Sequence, residues 1–208
     1  MAHTVFLSPQ LVYINFLRIN QLQFYMYNKV ITFVNDAFKG KNIKHFDRTV
    51  HWIKVLKPDA DDALIIAAYS HDIERALRKP ETPQVSKKKK DEFRDEEFLT
   101  FHQEEGARII GEFLKKEGVD NNFITRVKHL VSKHEVGGDD DQNLLKDCDS
   151  ISFFETNAAY FVSEKAPVMG EKVIQDKFDW MFDRITLEEA KTIAKPMYTD
   201  ALRKLEEL

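Results

Sequence analysis

Ala63-Leu64-Ile65-Ile66-Ala67-Ala68-Tyr69-Ser70-His71-Asp72-Ile73-Glu74-Arg75 is the stretch on which the fold turns. An apolar run leads directly into an imidazole and a carboxylate. Both are costly to bury unless something pairs with them. A divalent cation does so, because it accepts neutral imidazole nitrogen and anionic oxygen together. Asp59 or Asp61 can start a helix after Pro58, and Pro80 ends it, so residues 60–79 read as one largely buried helix. The weight of the His71–Asp72 pair depends on whether other His and Asp residues lie on neighbouring helices.

The rest of the chain favours such neighbours. Only 7 Gly and 6 Pro in 208 residues leave few tight turns, which points to an all-α bundle rather than a sandwich or barrel. The length suits one domain with a sizeable core. A formal net charge of -4 argues against an extended nucleic-acid surface, though not against a small nucleotide ligand. Cys148 stands alone, so no intramolecular disulfide forms, and a reducing cytoplasm fits. The N-terminus lacks the basic start and apolar run of a signal peptide. No apolar stretch approaches the roughly 20 residues that span a bilayer, so no membrane partner is expected.

Ser8-Pro9 reads as a cap and first-turn proline for a helix to about Phe38, either continuous or broken near Asn20, with Gly40 as its stop. A second helix is expected over 43–56. Residues 80–91 form a polar loop whose four lysines read as solvated. Helices follow over 95–117, from Asn121 or Asn122 to about Glu135, and near 142–163, 166–183 and 187–206. Thr186-Leu187-Glu188-Glu189 reads as a capping box for the last.

Ligand-type residues recur along this series. His45 opens the second helix within His45-Phe46-Asp47-Arg48-Thr49-Val50. His102 sits in His102-Gln103-Glu104-Glu105-Gly106-Ala107, His134 ends Leu130-Val131-Ser132-Lys133-His134, and Asp149 lies in Asp147-Cys148-Asp149-Ser150. A helical bundle can converge such side chains on its interior. The order His, His-Asp, His, His, Asp, with these flanking residues, resembles the HD-domain superfamily of metal-dependent phosphohydrolases over about residues 28–165. The N- and C-terminal helices are extensions of that match within one domain.

The resemblance implies a site residue by residue. His45, His71, Asp72 and Asp149 would form a mononuclear centre. In the binuclear branch Asp72 would bridge to a second metal held by His102 and His134. Both extra histidines are present, so two divalent ions are expected, from Mn, Fe, Co, Ni, Zn or Mg, with the histidine count leaning away from an all-oxygen Mg site. The expected activity is hydrolysis of a nucleotide-like or other small phosphate ester by metal-activated water. Arg48, Arg75 and Lys133 are the candidates to hold phosphate. A di-iron oxygenase of the same fold, and a binding module without turnover, are the alternatives; an oligomer is compatible with either.

Blander readings attach to other residues. Asp147 and Asp149 lie about 200° apart on a helix, so only one faces the site easily. The resemblance favours Asp149, which leaves Asp147 to cap a helix. His3, His51 and His129 read as structural or solvated, Glu74 as solvated, and Phe153, Phe154 and Tyr160 as core. Glu135 lacks a His-Glu-x-x-His context, and Asp139-Asp140-Asp141 lacks EF-hand spacing.

Overall fold

A computed structural model describes residues 25–79 and 92–208. Helix α1 runs over 25–38 and stops as expected: Gly40 takes φ 73°, and its N–H donates to the Asn35 carbonyl at 3.0 Å. Only a residue without Cβ adopts that turn freely. Helix α2 is Ile43–Leu56, α3 Asp62–Ser70 and α4 Ile73–Leu77. A 3-10 turn, Glu92–Arg94, leads into α5, Glu96–Lys116, followed by α6, Asn121–Val131, and α7, Asp140–Thr156. Helix α8 covers 158–169 and holds a π-helical turn at Phe161–Lys165. Gly170 separates it from α9, Glu171–Asp183, and α10 is Glu188–Glu206. The described residues contain no strand, so the fold is all-α.

Aspartates start four of these helices. Asp61 accepts from the Leu64 N–H, Asp95 from Phe98 and Asp120 from Asn122, while Asp139 and Gln142 form a reciprocal capping box. Asp61 is thus the start of the apolar helix, and Asp120 replaces the expected asparagines.

Four expectations need correction. The helices expected near 142–163 and 166–183 break instead at Asn157 and Gly170, so α8 spans the expected boundary between them. The stretch 60–79 is two helices, broken at His71 and Asp72. There the Ser70 hydroxyl donates back to the Ile66 carbonyl at 2.8 Å, and the His71 ring engages the Ala68 carbonyl at 2.9 Å. Side chains that bond upstream carbonyls compete with the helical ladder. Helix α6 ends at Val131, not Glu135, so His134 and Glu135 stand on a turn. Thr186 caps nothing. Its N–H and that of Leu187 donate to the Asp147 carboxylate at 3.0 and 2.7 Å, so an aspartate on α7 seats the start of α10. The Ser8-Pro9 cap, the possible break at Asn20 and the 80–91 loop lie outside the described residues.

Two apolar clusters build the interior. The first joins α1, α2, α3, α5, α6 and the front of α7 around Phe46, Ile53, Leu64, Tyr69, Ile110, Leu130 and Leu145. The second joins the back of α7 to α8, α9 and α10 around Ile151, Phe154, Ile174 and Phe178. Trp52 and Leu56 on α2 pack against both. Helix α7 belongs to both clusters, packing along α2 on one side and α10 on the other. That places its middle, at Asp149, where the two halves meet.

Candidate metal centre

Five segments deliver donors to this meeting point: α2 with His45, the α3–α4 break with His71 and Asp72, α5 with His102, the turn after α6 with His134 and Glu135, and α7 with Asp149. His71, His102 and His134 are fully buried, and His45 nearly so. Their rings form a chain, with centroids 5.4 Å apart for His45–His71, 5.1 Å for His71–His134 and 5.0 Å for His102–His134.

The back of each ring fixes its tautomer. Carbonyl oxygens accept and never donate, so the contacts of His71 Nδ1 to Ala68 (2.9 Å) and of His134 Nδ1 to Val131 (2.8 Å) place the proton on Nδ1. His102 Nδ1 donates to Glu74 Oε2 at 2.8 Å. Ser152 Oγ spends its hydrogen on the His45 carbonyl at 2.7 Å and therefore accepts from His45 Nδ1 at 2.9 Å. All four Nε2 atoms face the centre. Those of His71 and His134 are buried with no hydrogen-bond partner, an arrangement that native interiors avoid unless something else fills the role.

The carboxylates complete the set. Asp149 Oδ1 lies 3.0 Å from His45 Nε2 and 3.4 Å from His71 Nε2. Asp72 Oδ1 lies 3.0 Å from His102 Nε2 and 3.8 Å from His134 Nε2, and Glu135 Oε1 lies 3.7 and 3.9 Å from the same two nitrogens. Ligands about 2.1 Å from one ion lie roughly 3–4 Å from each other, so these spacings fit a metal. Asp72, His102, His134 and Glu135 form one group able to hold an ion, and His45, His71 and Asp72 form another. Asp72 is common to both. With outward Nδ1–H bonds and inward lone pairs, the donors fit a metal by chemistry as well as by spacing.

Charge is balanced by arginines. The Arg75 guanidinium bonds Asp72 at 2.7 Å and Glu135 at 2.9 Å. Arg184, just past α9, bonds Glu135, Asp149 and, at 2.8 Å, the Ser150 hydroxyl. Burial raises the carboxyl pKa of Asp72, Glu135 and Asp149, but Arg75 beside Asp72 and Arg184 beside the other two, with the neighbouring imidazoles, outweigh it and keep all three ionised. Burial likewise opposes a charge on His71, yet Asp149 and Asp72 lift the metal-free ring to about 9, so an arriving ion would have to displace the proton on its Nε2; at His134 burial prevails and the ring falls to about 3.

The expected site residues divide. His45, His71, Asp72, His102, His134 and Asp149 are brought together. Arg75 lines the cavity above them. Arg48 instead bonds Glu155 at 2.8 Å and lies over the Trp52 ring, and Lys133 is exposed on the turn after α6; neither lines the cavity. Asp147 faces α10, as its angle from Asp149 requires. Glu74 is not solvated but buried, bonded to His102 and Arg78; burial raises its pKa, but Arg78 and His102 carry it down to about 2. Phe153 and Phe154 are core, whereas Tyr160 is half exposed at the cavity mouth. Ser152 and Arg184 escaped the sequence reading. Glu135 was weighed only against a His-Glu-x-x-His motif, although its place beside His134 was a local sign.

The fold and the site define an all-α protein with a buried His/Asp/Glu group that can hold a metal ion. The chain belongs to the family described as a domain of unknown function (DUF4202), whose model matches residues 29–202. No curated protein and no solved structure matches the chain. Among the described residues no helix is long and apolar enough to cross a membrane.

Proposed function

We propose that the protein is a metal-dependent phosphohydrolase acting on a nucleotide or another small phosphate ester. One observation carries this reading: His45, Asp72, Glu135 and Asp149 of the donor group open onto a cavity of about 780 Å³ that five cations also line. Lys41, Lys44, Arg75, Lys165 and Lys177 line it above Asp72, Glu135 and Asp149. Four of these cations, all but Arg75, have no ion pair among the described residues. With the floor carboxylates occupied by metal, the walls favour an anion, and the volume suits a nucleotide-sized ligand. A reducing compartment such as the cytoplasm fits the single, buried thiol of Cys148.

His45, His71, Asp72 and Asp149 would hold one ion, and Asp72, His102, His134 and Glu135 a second. Bound divalent ions supply a water nucleophile of lowered pKa and Lewis acidity toward a phosphoryl oxygen. The chain's own part is to position and to exclude. Glu74, Ser152 and two backbone carbonyls hold the four rings in one tautomer. Arg75, whose Nε and one Nη are held by Asp72 and Glu135, would offer its other Nη to a phosphoryl oxygen. Asn42, Thr156 and Asn157 add polar groups to the wall, and the π-helical turn of α8 brings Phe161 and Lys165 to the rim.

Elemental analysis of protein purified without chelator tests the reading. About two ions per chain are expected, and Asp72→Ala should lose both because that carboxylate is shared. No metal in either protein would sink the proposal. Phosphate release from a panel of esters under anaerobic conditions separates hydrolysis from di-iron oxygenase chemistry, and its absence throughout would favour a binding module.

A further inference from the structure

Lys177 stands apart from the other basic residues of the cavity. It projects from α9, outside the stretch that carries the family resemblance, and lines the cavity with Asp72, Arg75, Glu135 and Asp149. Its ammonium is surrounded by aromatic faces, 4.5 Å from the Trp180 ring centroid, 5.3 Å from Phe93 and 5.7 Å from Phe153. Rings attract a cation but accept no ordinary hydrogen bond from it. An ammonium has three donors, and no carboxylate among the described residues takes them. Arg75 and Arg184 are engaged with carboxylates, and Lys41 and Lys44 are exposed at the mouth. Lys165 sits over the half-exposed Tyr160 ring.

We propose that Lys177 is a catalytic residue of this site, contacting the substrate's bridging ester oxygen and delivering the proton to the leaving group. The inference rests on the phosphohydrolase reading. As the bond from phosphorus to the leaving oxygen breaks, its electron pair stays on that oxygen, which takes a proton from the Lys177 ammonium. A water oxygen forms the new bond to phosphorus, and the proton it loses returns through solvent to the Lys177 amine. Burial draws the Lys177 pKa down to about 7; Glu135 and Asp149 pull it up, and Arg184 and Arg75 push it down. An amine so easily deprotonated suits a group that must give up a proton and regain it in each cycle.

Metal-loaded wild type, Lys177→Arg and Lys177→Met are compared on an alkyl phosphate and on p-nitrophenyl phosphate, whose phenolate leaves without a proton. Methionine suits the aromatic surroundings, and arginine keeps the charge but holds its proton. Both variants should lose about 10²–10⁴-fold in kcat on the alkyl ester. Lys177→Arg should lose less than about tenfold on the activated one. Equal losses on the two esters would overturn the acid role. Calorimetry with inorganic phosphate supplies a readout without turnover: affinity should weaken about tenfold in Lys177→Met and persist in Lys177→Arg. Unchanged affinity in Lys177→Met would overturn the contact. Absence of hydrolysis by wild type counts against the phosphohydrolase reading and the acid role together, whereas wild-type turnover with indifferent variants counts against Lys177 alone.

Discussion

Glu74 and Ser152 decide which nitrogen His102 and His45 present to the centre. A carboxylate behind a ligating imidazole fixes the ring and raises its basicity, and losing such a partner weakens metal binding by about 10–100-fold. Glu74→Ala should therefore lower metal affinity by that factor in a competition titration with a chromogenic chelator. Glu105→Ala, which breaks only a surface pair with Arg108 on the same helix that bears His102, should leave affinity unchanged. The six expected residues were legible as a converging group because each sits in a short motif with its own neighbours. Glu74 was not, because nothing local separates a solvated glutamate from one that α5 covers. Arg184 was harder still: its partners are 49 and 35 positions away along the chain.

At the level of helices, the break at His71–Asp72 depends on how closely α5 approaches it. A Cβ added at Gly106 would meet the His71 carbonyl oxygen at 3.3 Å and Val131 Cγ1 at 3.5 Å. Gly106→Ala should be near neutral, since the helix gains about 0.5–1 kcal/mol in propensity against a tight contact. Gly106→Val adds branches with nowhere to go and should cost about 1–3 kcal/mol, read as a lower melting temperature together with weaker metal binding. Unchanged melting in the valine variant would mean that α5 is free to retreat. Periodicity located most helices, but it was blind to this break because apolar residues continue on both sides of it. The seat of α10 was misplaced for a related reason. Thr186 has the sequence of a cap, yet a longer-range carboxylate, Asp147, takes its N–H and hydroxyl.

Across the whole molecule, the centre lies on the seam between two apolar clusters, and Arg184 ties the C-terminal one to it. Its side chain is buried with two carboxylates that repel each other when left alone. Removing one partner from a buried ionic group costs about 3–5 kcal/mol. Arg184→Met should lower the melting temperature of metal-free protein steeply and that of loaded protein far less, because metal would supply the missing positive charge; differential scanning calorimetry with and without metal reads the difference. Equal losses in both states would disconnect Arg184 from the centre. None of this seam was visible in composition, which shows no shift between the two halves that meet there. Its position follows from α7 being buried on opposite faces at once.

The outward hydrogen bonds of the four imidazoles carry a consequence for timing. Rings that are already oriented have little rotational freedom left to lose when an ion arrives, so capture should be fast. Departure requires several fixed donors to be vacated together while Arg75 and Arg184 close back onto the carboxylates. On the proposed reading, the lifetime of a loaded state would depend on guanidinium motion more than on imidazole motion. The two arginines would then act as the latch of a frame whose rings are already oriented.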